Sequence, residues 1–205
     1  RFRHYNYLMR TNILFPTAVS MFNYNITDEE KKVIYRLKTR PNTGNTTTVN
    51  TKVLDITTLK KLKKFILKSV DSYFTEIYAP KYKTKPYVTQ SWCNYTKKGE
   101  YHHKHSHANS FISGVYYVSA NKESDKIYFY KNEEDVLKVV SNNYNSFNSS
   151  SWWLPVETGL LILFPSYLAH SVDTVTDKDT RISLSFNTFL KGDIGDDIAL
   201  TRLVL

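Results

Sequence analysis

The chain has 205 residues, of which 41% are apolar and 15% aromatic, and its formal net charge at pH 7 is +9. This length and composition favour one domain with a sizeable core, and the single cysteine, Cys93, excludes an intramolecular disulfide. No stretch approaches the roughly 20 apolar residues that a membrane-spanning helix needs, and the first residues contain no apolar signal segment. We therefore predict a cytoplasmic protein without a membrane partner.

The N-terminal part of the chain contains one predicted strand and one predicted helix. Residues 1–12 have the character of a weakly ordered arm, and LFPTAVSMF, residues 14–22, predicts a short strand. Thr27 followed by Glu30 is a capping-box pattern. It predicts a helix that begins there and ends near Lys38, before a proline.

A polar loop and a long basic helix are predicted next. PNTGNTTTVNT, residues 41–51, is rich in the residue types of loops. In residues 57–78, apolar side chains recur at three- and four-residue steps with lysines between them, which predicts an amphipathic helix. The lysines favour a solvated face, and contact with nucleic acid is the second interpretation, which the net positive charge also allows.

From about residue 85 onward, short runs rich in β-branched and aromatic residues predict about eight antiparallel strands. Residues 131–151 are polar and poorly periodic, so we predict a mobile excursion that could cover a pocket. The fold class is therefore α+β, mainly β, with a sandwich or barrel. We predict a single domain: a strand and supporting helices over 1–85, the core over 86–190 and a tail over 191–205.

Four of the six histidines lie in YHHKHSHA, just before an apolar strand. Alternate side chains of a strand share a face, so His103, His105 and His107 are expected on one side and His102 on the other. Neighbouring imidazoles on one face are about 6.5 to 7 Å apart at Cα, close enough to bind one ion. His170, which follows another apolar strand, is a third candidate, and three protein ligands leave positions free for catalysis.

The strand RISLSFN places a polar row, beginning with Arg181, on one face and an apolar row on the other. An inward arginine requires an anionic partner, because an unpaired buried charge costs several kcal/mol. Its planar guanidinium matches a carboxylate, and Ser183 can donate to the same oxygens. A protein carboxylate such as Asp173 or Asp179 is the alternative partner.

Three segments together resemble a known family: HSHANSFISGVYYV, PVETGLLILFPSYLAHSV and RISLSFN. They are similar to the iron(II)- and 2-oxoglutarate-dependent oxygenases, and especially to an oxygenase family of marine bacteria and their phages that is related to prolyl hydroxylases. The resemblance covers residues 88–189 and is weak in the helices. It implies a double-stranded β-helix, or jelly roll, with the cofactor Fe(II) at one open end and 2-oxoglutarate and O2 as cosubstrates.

Residue by residue, the resemblance implies that His105, His107 and His170 bind the metal. Arg181 matches the residue that pairs with the 5-carboxylate of 2-oxoglutarate, and Ser183 stands in the Arg-x-Ser position.

The resemblance also implies that Tyr95 and Tyr117 hydrogen-bond the cosubstrate. Asn94 and Trp92 are expected on the strand that lines the substrate side. The implied reaction is hydroxylation of a C–H bond in a peptidyl, prolyl-like substrate or a small molecule, with release of succinate and CO2. A phage-encoded protein would act in the host cytoplasm.

The chain departs from the usual facial triad, because His107 stands where most members carry Asp or Glu. Three histidines also suit zinc, so the spacing leaves iron and zinc open. His103 is a rival for one of the two proximal positions. Two other classes of function stay open: a cupin-like three-histidine protein that does not use 2-oxoglutarate, and a nucleic-acid-binding module.

Overall fold

The computed structural model describes residues 9–132, 137 and 139–205 of the chain. Within these residues the chain forms two α-helices, α1 (Asp28–Tyr35) and α2 (Lys60–Tyr78), and twelve strands. The strands are β1 (Ser20–Asn23), β2 (Thr39–Asn42), β3 (Asn45–Thr48), β4 (Thr84–Thr96), β5 (His102–His105), β6 (Ile112–Ser119), β7 (Lys126–Tyr130), β8 (Ser151–Pro155), β9 (Leu160–Pro165), β10 (His170–Val172), β11 (Arg181–Ile194) and β12 (Leu203–Val204).

The strands of the described residues form two antiparallel sheets. The large sheet has the order β1-β9-β6-β11-β4-β3-β2, with β12 paired to β11. The small sheet has the order β5-β10-β7-β8. From β4 to β7, and again from β8 to β11, consecutive strands alternate between the two sheets, whereas β7 and β8 are neighbours in the small sheet. This mainly β architecture confirms the predicted fold class.

Two apolar clusters lie on opposite faces of the large sheet. Strand alternation sends Tyr116 and Val118 of β6 towards the helices, whereas Val115 and Tyr117 point towards the small sheet. Strand β9 divides its side chains in the same way. Both faces of β6 and β9 are thus buried, which explains why their sequences are apolar without alternation.

The helices pack on the outer face of the large sheet. Thr27 caps α1 with the predicted capping box: its hydroxyl accepts from the Glu30 backbone N–H, and the Glu30 carboxylate accepts from the Thr27 backbone N–H. The helix ends at Tyr35, three residues before the predicted end. Helix α2 buries one apolar stripe, and its lysines are largely exposed, as the amphipathic pattern predicted. The lysine face is therefore on the opposite side of the large sheet from the small sheet.

The predicted loop over residues 41–51 is wrong, since residues 39–48 form the hairpin β2-β3. Gly44 occupies the turn at φ +82°, and β3 pairs with β4. The hydroxyl of Thr47 donates to the backbone carbonyl of Cys93 at 3.1 Å. Threonine is β-branched and suits a strand, but the polarity of this segment concealed that preference.

Two other boundaries differ from the prediction. The first strand begins at Ser20 rather than at residue 14, because Phe15 adopts φ +55° and is 96% exposed. Strand β8 begins at Ser151, where the predicted excursion over 131–151 ends. Residues 133–136 and 138 of that excursion, and residues 1–8 of the predicted arm, lie outside the described residues. Of the described helices, none combines the length and apolarity that a membrane crossing requires.

Candidate active site

Three histidine side chains converge at the edge of the small sheet. His105 is the last residue of β5, His107 lies two residues further on, and His170 begins β10. Because His170 is opposite His105 in the ladder, their ring centroids are 4.4 Å apart, and the His107 ring is 5.1 Å from His170. One nitrogen of each ring lies within 4.8 Å of the other two. Three imidazoles at this spacing can bind one metal ion.

Backbone carbonyls set the tautomers of two of these rings. Nδ1 of His105 is 2.8 Å from the carbonyl oxygen of His103, and Nδ1 of His170 is 3.0 Å from that of Leu168. A carbonyl oxygen only accepts, so each Nδ1 carries the hydrogen and donates it. The Nε2 lone pair of both rings is then free for a metal, the usual arrangement of ligating histidines.

The local environment keeps these imidazoles uncharged. Burial, with a smaller contribution from the neighbouring His105, lowers the pKa of His170 to about 3 and that of His107 to about 4. The pKa of His105 is also lowered, chiefly by burial. A neutral imidazole is the form that binds a metal, so the cluster is ready for a cation without first losing protons.

The other two histidines of the cluster are not placed as simple alternation predicted. The β5-β10 ladder shifts register, because His170 pairs with His105 but Val172 pairs with His102. The extra residue on β5 turns His102 to the side of His105, and the two rings stack at 4.6 Å. The prediction that His102 points away is therefore wrong. His103 is exposed and is not one of the three clustered ligands that the described residues form.

Arg181 begins β11 and is buried, with only 4% of its surface exposed. Among the described residues its nearest carboxylate is Asp125, at 4.0 Å between Nη1 and Oδ1, and its Nη2 donates to the Thr96 hydroxyl at 3.4 Å. Both contacts are long, so most of the five guanidinium donors have no close partner among the described residues. The protein carboxylate near the arginine is thus Asp125, rather than the predicted alternatives, Asp173 or Asp179.

Other predicted residues line the same cavity as Arg181 and the histidines. Ser183 follows on the same face of β11, and Tyr117 lies opposite it in the register between β6 and β11. The Tyr117 hydroxyl has no hydrogen-bond partner in the described part of the chain, and burial raises its pKa, so it stays protonated and can donate. Asn94 and Trp92 of β4 line the cavity as well.

The Asn94 side chain contains an unsatisfied buried atom. Its Nδ2 donates to the Ser185 hydroxyl at 3.3 Å, while its Oδ1 is buried without a partner among the described residues. A half-turn of the amide preserves the contact with Ser185, whose hydroxyl would then donate, and places the amide N–H donors at the buried position that Oδ1 now occupies. An acceptor-rich ligand beside Asn94 satisfies this otherwise costly group.

Tyr95 lies on the other side of the sheet, and the prediction for it is wrong. It pairs with Ile182 across β4 and β11, so its ring points towards the helices, and its hydroxyl donates to the backbone carbonyl of Ile34. Asn94, its neighbour, points into the cavity instead. Tyr95 therefore stabilises the packing of α1 on the large sheet and cannot reach the cavity from that face.

The cavity between the two sheets has a volume of about 500 Å3 up to its open mouth. The aromatic ring of Phe164 packs against His170 at 4.7 Å, and Val115 and Ile127 add apolar wall. Sequence reasoning missed Asp125 and His102. No local pattern indicates Asp125, because it reaches Arg181 from the turn before β7, in the other sheet.

A family model described as "Putative 2OG-Fe(II) oxygenase" matches residues 90–187, just under half of the chain. The matched segment contains all three clustered histidines and Arg181. No curated protein matches the chain.

Solved structures with the same fold cover most of the chain. An oxidoreductase of the 2OG-Fe(II) oxygenase family from Burkholderia pseudomallei is 12% identical, with a TM-score of 0.58 over 83% of this chain and 83% of that one. A Pseudomonas putida prolyl-4-hydroxylase is 10% identical, with a TM-score of 0.55 over 83% and 92%. HygX from Streptomyces hygroscopicus, with nickel and 2-oxoglutarate bound, is 11% identical, with a TM-score of 0.56 over 84% and 82%.

At these identities the structures establish a common fold, the double-stranded β-helix. The family model adds the sequence evidence, and it covers the strands that contribute the histidine cluster and the buried arginine. Residues 90–187 therefore match the 2OG-Fe(II) oxygenase family model, on a fold shared with a structure that has nickel and 2-oxoglutarate bound.

Proposed function

We propose that His105, His107 and His170 bind Fe(II), and that Arg181 anchors the 5-carboxylate of 2-oxoglutarate beside it. The enzyme would then hydroxylate a C–H bond of a peptidyl or small-molecule substrate. The substrate class is supported by two of the relatives: the Pseudomonas putida protein is a prolyl-4-hydroxylase, and a HygX structure contains hygromycin B.

The histidine cluster fits a divalent metal. Two of its rings have their Nδ1 hydrogens held by backbone carbonyls, which leaves Nε2 free, and all three are kept neutral by burial. Imidazole nitrogens suit iron as well as zinc, and three protein ligands leave coordination positions for a cosubstrate. With no carboxylate ligand, the site keeps the full positive charge of the metal and favours an anionic cosubstrate.

The proposal depends mainly on the Arg181 guanidinium, because most of its N–H donors have no close partner among the described residues. A buried arginine with two long contacts, 3.4 and 4.0 Å, retains donors for a carboxylate, which its planar fork binds with two parallel bonds. Ser183 and Tyr117 supply hydroxyl donors in the same cavity, and Asn94 supplies an amide. These donors line the same cavity as the histidines, so one diacid would pair with Arg181 at one end and with the metal at the other.

When bound, Fe(II) with 2-oxoglutarate and O2 supplies the oxidation, in which 2-oxoglutarate yields succinate and CO2 and the substrate C–H bond gains a hydroxyl. The residues of the chain position and shield the reactants. Arg181 orients the cosubstrate by its distal carboxylate, and the buried walls formed by Phe164, Val115 and Ile127 exclude water from the reacting end. Stacked on His105, His102 restricts the rotation of that ligand.

Two measurements on the purified protein test the proposal. Anaerobic calorimetry should show one equivalent of Fe(II) bound, followed by tight 2-oxoglutarate binding that requires the metal. Succinate formation in air should depend on both. Zinc should support 2-oxoglutarate binding without succinate, because Zn²⁺ has no redox chemistry.

The matched control is the exposed His103. Replacement by alanine, His103→Ala, should leave metal and cosubstrate binding intact, whereas His105→Ala should abolish both. If the metal-loaded protein binds no 2-oxoglutarate, the function fails and a three-histidine protein of another class replaces it.

A further inference from the structure

A second, wider cleft lies next to the candidate active site. It shares Trp92, His102, His105 and His107 with the inner cavity, and its volume is about 880 Å3 up to its open mouth. Arg181 and Ser183 do not line it. The histidines thus lie between the inner cavity, which contains Arg181, and an open cleft that extends across the large sheet.

The hairpin β2-β3 forms the far side of this cleft. Thr47 is opposite Asn94 in the β3-β4 register, and Arg40 is opposite Thr47 in the β2-β3 register. Residues that are directly opposite share a face of the sheet, so Arg40 is on the same inner face as Asn94. Asn42 shares this face of β2, and both side chains line the cleft.

The described lining of the cleft carries positive charge and no negative charge. Among the described residues, Arg40 is its only permanently charged lining side chain, and no aspartate or glutamate lines it. The Arg40 guanidinium has no hydrogen-bond or ion-pair partner in the described part of the chain. Hydroxyl and amide side chains, such as Thr51, Gln90 and Asn187, supply the remaining polar lining.

The sheet geometry gives the distance between the two ends of the cleft. The Trp92 ring on β4 is 6.0 Å from the His107 ring, so β4 lies at the metal end. Arg40 is on β2, two strands away, and adjacent strands are about 4.8 Å apart. The backbone of Arg40 is therefore about 10 Å across the sheet from β4, a separation that three residues of an extended peptide span at about 3.3 Å each.

We propose that this cleft binds the substrate, and that the substrate is an extended peptide with an acidic side chain three residues from the oxidised residue. The acidic group pairs with Arg40, and the hydroxyl and amide side chains of the cleft bind the peptide backbone. The inference rests on the proposed function, since it takes the histidine cluster as the metal site.

Paramagnetic relaxation tests both the charge and the distance. The protein is loaded with Mn(II) and saturated with N-oxalylglycine, a 2-oxoglutarate analogue that fills the inner cavity, and a Zn(II)-loaded sample serves as the diamagnetic reference. The probes are acetylated, amidated peptides EAAPAA and AAPAAE, together with versions that carry Gln or Lys in place of Glu. Acetyl-glutamate amide tests whether an acidic group alone is sufficient.

We expect at least one glutamate peptide to be relaxed by Mn(II), with the proline protons relaxed more strongly than the glutamate methylene protons. The Gln version should bind roughly two- to fivefold more weakly, as for loss of an ion pair with the exposed Arg40, and the Lys version more weakly still. Arg40→Gln should reduce the affinity of the glutamate peptide to that of the Gln peptide. Arg36→Gln, at an exposed arginine outside the cleft, should not.

Several results would overturn the inference. The inference fails if the Glu and Lys peptides bind equally, or if Arg40→Gln and Arg36→Gln have equal effects. It also fails if acetyl-glutamate amide binds as well as the peptides, or if Mn(II) relaxes no peptide. N-oxalylglycine binding is measured in the same samples by calorimetry. If it binds but the peptides do not, the substrate inference fails alone, whereas if it does not bind, the proposed function fails first.

Discussion

Replacement of Arg181 by glutamine perturbs two partners at once. The bound cosubstrate loses the group that pairs with its distal carboxylate, and Asp125 loses the nearest cation to its buried side chain. Arg181 and Asp125 are 4% and 7% exposed, so solvent compensates neither loss. The single variant Arg181→Gln therefore mixes a binding effect with a folding effect.

The expected magnitudes can be estimated separately. Two hydrogen bonds between a guanidinium and a carboxylate contribute about 3 to 4 kcal/mol to binding, so 2-oxoglutarate affinity should fall roughly 100- to 1,000-fold. Removing one partner of a buried pair costs about 3 kcal/mol of stability, the lower end of the usual range, since the Arg181–Asp125 distance is already 4.0 Å. For a domain of this size, that corresponds to a fall in Tm of about 6 to 12 °C.

The double variant Arg181→Gln/Asp125→Asn separates the two effects. It removes both charges, so the Tm should return most of the way to that of the parent protein, while 2-oxoglutarate affinity should stay low. Thermal unfolding and anaerobic calorimetry with Fe(II) measure the two quantities on the same samples. Cosubstrate affinity of the double variant within fivefold of the parent would show that Arg181 is not the anchor. An unchanged Tm in the single variant would refute the energetic role of the Arg181–Asp125 pair.

Three further outcomes follow from the same structure. His170→Ala should weaken Fe(II) binding at least about a hundredfold in a metal titration, because it removes a proposed ligand, and His103→Ala should not change it. Tyr95→Phe should lower the free energy of unfolding by about 1 kcal/mol and leave 2-oxoglutarate affinity unchanged. Tyr117→Phe should weaken 2-oxoglutarate affinity several-fold and leave stability unchanged. The opposite pattern would restore the cosubstrate role to Tyr95. Gly114→Ala should destabilise the protein by about 1 to 3 kcal/mol in chemical unfolding, since its Cβ would overlap the Phe186 ring of β11, and wild-type stability would contradict the packing.

Much of the site could be predicted because its signals are local. Alternation along β11 correctly placed Arg181 and Ser183 together on one face, away from the apolar row. The two apolar strands, the capping box of α1 and the amphipathic pattern of α2 are also local, and each is present at or near its predicted position. The family assignment, supported by the model match, rested on motifs within single strands.

The register between strands, however, is a tertiary property. The shift in the β5-β10 ladder turns His102 into the cluster and leaves His103 outside it, although the two residues are adjacent in sequence. Tyr95 has the residue type and the neighbourhood of a cosubstrate ligand, but the side of β4 on which it falls depends on its pairing with β11. Sequence spacing has no information about a bulge that arises from the partner strand.

The sequence by itself thus provided the candidate groups of the site: three histidines and one arginine, within or next to predicted strands. Only the tertiary structure decided which groups share the cavity, because Asp125 reaches Arg181 from a different sheet and Arg40 enters the cleft through a hairpin whose polar sequence predicted a loop. Alternation along one strand determines which of its side chains share a face, whereas the cavity that this face lines is set by strand register and by the packing of two whole sheets.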